Sequence, residues 1–502
     1  MRPQCGAIGR GIPTSSLYID GEWRAASEGT TREVINPFDQ SVVRTVDEGG
    51  RADAEAAVAA ARAAFDGGAW PSWTARQRSE LLRRMAEYLQ RDRAEIARLE
   101  TLDTGKTLVE SGIDVDDVSN VFAYYAGLAE SENGRVIDAG DPRVRSRVVY
   151  EPVGVCALIC PWNYPLLQAS WKVAPALAAG NTLVLKPSEI TPLTTIKMVE
   201  LLAEAGAPPG VVNLILGDGA ATGAPLVEHP GVDLVSFTGG LDTGRRIMRT
   251  AADTVKDIAL ELGGKNPNIV FADADFDAAI DYALMAVFFH AGQVCSAGTR
   301  LIVEDSLHQE FVAHLVERAE RIRLGNGLDE HTESGPLVSA AHRAKVESYV
   351  ELGLGEGARL VAGGSRPDDP ALRDGFFYRP TVFDDCTREM RIVQEETFGP
   401  ILTVERFSDE EQAVELGNDT DYGLAGAVWT TDAARAERVA RRLRHGTVWI
   451  NDFGPYLPQA EWGGFKRSGI GRELGHDGLA EYRQAKHIYE NTAPEPQRWF
   501  AR

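Results

Sequence analysis

An α/β chain with two doubly wound parallel sheets and a small additional β arm is the fold class that the sequence predicts, and three observations lead there. From residue 154 onward, short apolar runs at 154–160, 181–186, 211–216, 232–238 and 255–261 alternate with helical stretches. Runs of this kind, bounded by glycine and proline, are the pattern of parallel strands buried on both faces. After a glycine-rich join at 263–267 the alternation restarts, with a strand at 268–271, a helix over 275–289, a strand at 300–303 and a helix from Leu307. Repetition after a join predicts a second α/β domain, with any ligand cleft lying between the two. Finally, residues 143–151 alternate Val144, Ser146, Val148 and Tyr150, and the chain carries a β-prone stretch at 487–491. Such strands pair across a subunit interface or form an ordinary edge hairpin, and the sequence leaves both open.

The elements ahead of residue 154 follow from local pattern. Residues 17–23, Leu-Tyr-Ile-Asp-Gly-Glu-Trp, predict a hairpin turning at Asp-Gly, and the alanine-rich 52–65 predicts a helix. Leucines and aromatics recur at three- and four-residue spacing over 76–101 and 108–130. Each stretch therefore predicts one long amphipathic helix covering a face of the first sheet.

Bulk properties narrow the function classes. At 502 residues the chain is long enough for two or three domains and a large core. A formal net charge of -22 repels phosphate backbones and anionic membranes, so a nucleic-acid partner is not expected. The same acidity draws cationic substrates or simply serves solubility. Five widely spread cysteines, an odd number, fit a reducing compartment better than a disulfide framework. Residues 1–16 hold no apolar run of signal length and no stretch is long enough to span a membrane, so a cytoplasmic protein with a loose N-terminal tail is expected. Nine scattered histidines show no ligand spacing, and no metal is expected.

Cys295 lies in Gly-Gln-Val-Cys-Ser-Ala-Gly-Thr-Arg, residues 292–300. A lone cysteine is commonly a small core residue, but small neighbours leave room for a ligand to reach this one. Cys156 and Cys160, four apart in an apolar run, read as core. Glu261 ends an apolar strand just before Gly263 and Gly264, where it is either a structural ion-pair partner or a ligand-facing base. Two glycine loops compete for a phosphate group. Residues 217–223 imitate a dinucleotide fingerprint with the last glycine one residue late, whereas 237–244 follows a strand and enters a helix at 242–252. Asn163, between a strand and a helix in 161–165, offers an amide to an oxyanion or caps the helix. Lys186 and Glu189, just past a strand, suit ribose hydroxyls or solvent.

These segments in order, PWN (161–163), KPSE (186–189), FTGG (237–240), ELGGKNP (261–267), GQVCSAGTR (292–300), EETFGP (395–400) and GGFKRSGIGRELG (463–475), resemble the motifs of the NAD(P)-dependent aldehyde dehydrogenases. The resemblance runs from about residue 17 to 490. It implies that fold, with an NAD-binding domain from 17–134 and 153–266 and a catalytic domain from 267–455. It further implies an oligomerisation arm and tail from 135–152 and 481–502, and a substrate-site and interdomain segment at 456–480. Cys295 is similar to the nucleophile that forms a thiohemiacetal and then a thioester, with Asn163 and the Cys295 backbone N–H as oxyanion hole. Glu261 resembles the base of hydrolysis, and Lys172 and Glu473 match positions that assist proton movement. For the cofactor, Lys186 and Glu189 look like adenine-ribose ligands and Gly219 like part of the adenine pocket. Gly239 and Gly240 look like the diphosphate turn and Glu396 with Phe398 like the nicotinamide-ribose clamp, while Ile159, Trp162 and Leu262 complete the site. A carboxylate at 189 favours NAD over NADP, and Gly240 stands where many relatives carry serine.

Tyr164 and Trp171 are seven apart on a predicted helix and so share a face, Trp462 lies in 456–462, and Phe289 precedes Cys295 by six residues. Aromatic faces around a cavity bind quaternary ammonium groups, or simply form an apolar channel for a neutral aldehyde. Tyr164, Trp171 and Trp462 are similar to the aromatic box of family members acting on betaine aldehyde, with Phe289 departing from a tryptophan found in some of them. Betaine aldehyde is therefore the expected substrate, with an ω-amino aldehyde or a general aliphatic or aromatic aldehyde as the alternative. CoA-acylating relatives usually lack the Glu261 carboxylate, and neither a non-redox cysteine hydrolase nor a non-catalytic scaffold accounts for the motifs. A homodimer or homotetramer is expected.

Overall fold

The computed structural model describes residues 15–131 and 134–500. The tail expected over 1–16 thus lies outside the described residues up to 14, as does Cys5.

Five parallel strands form the centre of an eight-stranded sheet, and each of the five apolar runs expected between 154 and 261 supplies one. In spatial order they are Asp257–Glu261, Leu234–Thr238, Val155–Ile159, Thr182–Lys186 and Val212–Leu214. Every residue in the strands at 155, 182 and 234 is buried, which is why these runs read as continuous rather than alternating. The predicted hairpin, Leu17–Ile19 with Glu22–Arg24, extends one edge. Its two turn residues, Asp20 at φ 56° and Gly21 at φ 83°, are both left-handed, as a two-residue turn between twisted strands requires. The other edge is closed by Gly469–Ile470, which returns from far along the chain to pair antiparallel with the strand ending at Glu261.

Helix Arg51–Gly67 covers one face of this sheet, packing Ala54, Ala57, Val58 and Ala61 onto Val155, Ala157 and Val184. Helices Ala75–Arg91, Leu108–Ser131 and Pro165–Ala179 cover the other. The single helix expected over 76–101 is in fact two, Ala75–Arg91 and Arg93–Thr104, joined at Asp92 with φ −99° and ψ 12°. A one-residue break hardly disturbs the spacing of apolar residues, so periodicity does not register it.

The second sheet has seven strands in the order Arg359–Ala362, Thr381–Asp384, Ile401–Phe407, Arg300–Glu304, Pro267–Val270, Ala425–Trp429 and Thr447–Ile450. All are parallel to their neighbours except the first. Helices Phe276–Phe288 and Asp305–Ala319 pack on one face, Glu410–Asn418 and Ala433–Arg442 on the other. A separate antiparallel sheet joins Arg135–Ile137, Val144–Pro152 and Arg483–Asn491. Its last strand is longer than the expected 487–491 and pairs along its whole length, from Arg483↔Pro152 to Asn491↔Val144. No described helix is long and apolar enough to cross a membrane.

Candidate active site

The strands at Ile159, Lys186, Thr238 and Glu261 end on the same side of the first sheet, where loops diverge and leave a cleft. This cleft, of about 390 Å³, is lined by Cys160, Asn163, Glu261 and Cys295 together with the ten predicted cofactor residues. Those ten, Ile159, Trp162, Lys186, Glu189, Gly219, Gly239, Gly240, Leu262, Glu396 and Phe398, come from six separate stretches of chain. Cys295 also opens onto a second cavity of about 540 Å³, so the thiol stands where two spaces meet.

Cys295 is held by an unusual turn. Helix Phe276–Phe288 stops seven residues short of it, and His290, Ala291 and Gly292 follow at φ 48°, 52° and 74°. At Gly292 only glycine fits, because a Cβ would lie 2.2 Å from the Gly399 carbonyl oxygen. Gln293 then anchors the loop, its side-chain oxygen accepting from Val338 N at 2.9 Å, and Asn266 Nδ2 donates to the Cys295 carbonyl at 2.9 Å. Burial pushes the Cys295 thiol up to about 12, and the Glu396 and Glu261 carboxyls add to the shift.

Asn163 does not cap the helix that follows. The residue at that position is Tyr164, with no side-chain cap bond, while Asn163 Nδ2 donates to the Gln293 carbonyl at 2.9 Å. An amide nitrogen carries two hydrogens, so one remains to face an oxyanion. Glu261 is buried, and its Oε1 has no hydrogen-bond partner among the described residues. Burial raises this carboxyl well above its ordinary range and the Glu473 carboxylate raises it further. Gly463 leaves space for it, since a Cβ there would stand 2.9 Å from Glu261 Oε1. Behind it, Lys172 and Glu473 form a buried ion pair, and Lys172 Nζ also reaches Ser236 Oγ at 3.2 Å.

The other end of the cleft suits a dinucleotide. Helix Leu241–Ala251 begins at Gly240 without a side-chain cap, so its first N–H groups are left for a ligand, and nothing lies within 4 Å of a Cβ at Gly240. Lys186 is buried, and burial lowers its ammonium below the usual range. Glu396 Oε1 accepts from Gly264 N at 3.0 Å, and Trp162 and Phe398 stand edge to face at 5.2 Å. Those donors, that carboxylate and those rings fit a diphosphate, a ribose and a nicotinamide. His342, against Trp162 at 4.9 Å and hydrogen-bonded to the Phe398 carbonyl at 2.7 Å, shares the wall. It lies in no motif and nothing in the sequence pointed to it.

The second cavity holds the four predicted substrate residues, Tyr164, Trp171, Phe289 and Trp462. Tyr164, however, precedes helix Pro165–Ala179, with φ −132° and ψ 63°, so a shared helical face does not place it. Lys106 Nζ, 3.8 Å from its ring centroid, and the His290 ring at 5.6 Å hold it instead. Trp171 meets Trp462 at 5.9 Å and Tyr456 at 5.2 Å, and Tyr456 meets Trp462 at 6.0 Å. Tyr456 thus joins this ring cluster from the 456–462 segment. Asp114 and Asp117 also line this cavity. Burial raises both, Asp114 to about 7, with Lys106 Nζ 2.5 Å from Asp114 Oδ2 opposing the shift. They lie three apart on helix Leu108–Ser131, a spacing that places them on one face but shares nothing with any motif.

Two parallel-sheet units, a cysteine where their cavities meet, a buried carboxylate and a dinucleotide-shaped cleft define a class: an oxidoreductase working through a covalent cysteine adduct. Residues 23–488 match the model of the aldehyde dehydrogenase family, and the chain belongs to that family. It is 62% identical to a betaine aldehyde dehydrogenase of Bacillus subtilis, covering 97% of this chain and 99% of that one. It is 43% identical to a peroxisomal aminoaldehyde dehydrogenase of Pisum sativum, covering 97% and 98%. The crystal structure of a Staphylococcus aureus betaine aldehyde dehydrogenase in complex with NAD+, 55% identical, superposes with a TM-score of 0.96 over 97% of each chain.

Proposed function

We propose that this enzyme oxidises betaine aldehyde to glycine betaine with NAD as hydride acceptor. The observation that carries the reading is the set of rings at Tyr164, Trp171, Tyr456 and Trp462, with Asp114 and Asp117 beside them, in the cavity that ends at Cys295. Aromatic faces attract a quaternary ammonium by about 2 kcal/mol or more once water is removed. The Asp117 carboxylate reinforces that preference for a cation over a neutral aldehyde, whereas Asp114 is already paired with Lys106.

In this mechanism Cys295 Sγ attacks the aldehyde carbon, and the remaining Asn163 amide hydrogen with the Cys295 N–H stabilises the oxyanion of the thiohemiacetal. NAD, when bound, takes up the hydride from that carbon. Glu261, whose burial raises its carboxyl and so makes its carboxylate a stronger base, removes a proton from water that hydrolyses the resulting thioester on Cys295. Glu473 and Lys172, paired behind it, pass the proton on. Lys186 and Glu189 bind the adenine ribose and Gly219 lies by the adenine. Gly239 and Gly240 form the diphosphate turn, with the Gly239 N–H given to the Glu261 carbonyl and the uncapped N–H groups at the start of helix Leu241–Ala251 left for the phosphates, and Glu396 and Phe398 clamp the nicotinamide ribose. The Glu189 carboxylate accepts from a free 2′-hydroxyl and repels a 2′-phosphate, which favours NAD over NADP.

Apolar side chains exposed on the small antiparallel sheet, Val136 at 85% and Tyr489 at 60%, support its role as the arm of a homodimer or homotetramer. The described cysteines are unpaired, in keeping with a cytoplasmic setting. Asp114 and Asp117 favour one second reading, an ω-amino aldehyde whose primary ammonium they would bind. NADH formation at 340 nm with betaine aldehyde, an ω-amino aldehyde and propanal tests both. The expected order of kcat/KM is betaine aldehyde, amino aldehyde, propanal, and a leading propanal would overturn the cationic reading.

A further inference from the structure

The turn before Cys295 is built from three consecutive left-handed residues, two of them not glycine, a conformation that L-residues disfavour. Its neighbours in sequence do not hold it alone. Glu110 Oε1, from 180 positions upstream, accepts the His290 N–H at 2.7 Å. Glu110 sits on the first turn of helix Leu108–Ser131 and is 3% exposed.

Its second oxygen is already committed. Glu110 Oε2 accepts from Thr107 N at 2.6 Å and Thr107 Oγ1 at 2.9 Å, while Glu110 N donates back to Thr107 Oγ1 at 3.2 Å. This reciprocal box fixes the carboxylate at the helix end before it reaches the turn. On the far side, the His290 carbonyl accepts from both Gln293 N and Gln293 Nε2 at 3.1 Å, and the Gln293 carbonyl accepts from Asn163. One continuous set of hydrogen bonds thus runs from Thr107 through Glu110, His290 and Gln293 to Asn163, with Cys295 two residues past Gln293.

We infer that Glu110 is a positioning residue for thiohemiacetal formation: by fixing the 290–293 turn it sets Cys295 and the Asn163 amide relative to each other. Glu110 lines neither cavity. The inference rests on the proposed roles of Cys295 and Asn163.

Glu110→Gln keeps the volume but leaves only one acceptor oxygen for two backbone N–H groups. Misplacing a reacting pair by about 1 Å costs up to roughly 100-fold, so the pre-steady-state NADH burst is expected to slow by about 10- to 100-fold. NAD affinity should be unchanged, and alkylation of Cys295 by iodoacetamide, followed by peptide mass spectrometry, should change in rate. Glu110→Asp, with the charge kept and the reach shortened, provides the same test if the glutamine variant does not fold. Thr107→Ala removes a hydroxyl from the same box but leaves the His290 contact, and is expected to lower Tm while leaving the burst rate at the wild-type value. A wild-type burst in a folded Glu110 variant overturns the inference. So does an equal burst loss in Thr107→Ala, which would reduce Glu110 to support of the helix end. A Cys295→Ala variant that keeps its activity would instead sink the nucleophile assignment, a separate outcome.

Discussion

The two cavities that meet at Cys295 recognise their ligands in opposite ways. The cofactor cleft is shaped by backbone and by missing side chains: a Cβ at Gly239 would meet the Phe237 ring at 2.5 Å, and one at Gly263 the Glu396 carboxylate at 2.1 Å. The substrate cavity is shaped by large rigid rings and two acids brought from distant parts of the chain. Backbone recognition needs short contiguous stretches of glycine, and it tolerates little change. Side-chain recognition needs only that the right rings arrive, from wherever the fold can deliver them.

Removing the buried base on the cofactor side of Cys295 gives the largest effect. Glu261→Gln should release one NADH per active site and then stall at the thioester, with steady-state turnover down by roughly 1,000-fold for loss of a general base. Sustained turnover would mean that hydrolysis does not depend on this carboxylate.

Next comes the apolar character that the two cavities impose on the thiol. With Cys295 pushed up to about 12, its thiolate fraction rises with pH throughout the neutral range. Alkylation of the cofactor-free enzyme should therefore speed up about 100-fold from pH 7 to pH 9, tenfold per unit. A plateau below pH 9 would show a far more polar setting.

The substrate side is tested by Trp462→Ala. Loss of about 2 kcal/mol of cation-π attraction corresponds to about a 30-fold rise in KM for betaine aldehyde, with propanal affected much less. Equal effects on the two aldehydes would erase the distinction between a cation box and a plain apolar channel.

The smallest effect belongs to the cofactor side. Gly239→Ala places a methyl against Phe237, and a shift costing about 1.4 kcal/mol raises KM for NAD roughly tenfold. The ratio of rates between betaine aldehyde and propanal should not move. A change in that ratio would show that the two cavities are coupled.

The same contrast explains what could be read from the sequence. The cofactor residues sit in contiguous motifs at strand ends, because burial and glycine at fixed positions leave a local trace. His342 leaves none, since one ring packed on Trp162 requires only that its helix pass nearby. On the substrate side Trp171 and Trp462 were legible as unusual aromatics, while Asp114 and Asp117 looked like any exposed acids on an amphipathic helix. Their burial is decided by what packs against helix Leu108–Ser131, which spacing along that helix cannot reveal. Tyr164 reaches this cavity from the position before helix Pro165–Ala179 and not through a helical face shared with Trp171. The helix break at Asp92 and the left-handed turn at His290 escaped for a common reason: one or two dihedral angles change a chain's direction without changing its pattern of apolar residues.

The short strand Gly469–Ile470 gives the first sheet its last edge, and that edge lies directly beside Glu261. The same late segment brings Trp462 and Glu473, bonded to each other through their backbones at 2.6 and 2.7 Å. In a chain made from its N-terminus, the nucleotide cleft, complete at Phe398, and the thiol are therefore specified about 70 residues of synthesis before the hydrolytic base receives its surroundings. A chain that ended before residue 460 would lack Trp462, Glu473 and the edge strand beside Glu261, and with them the surroundings of the hydrolytic base. Completion of the chain, not assembly of the cofactor site, is what makes the enzyme turn over.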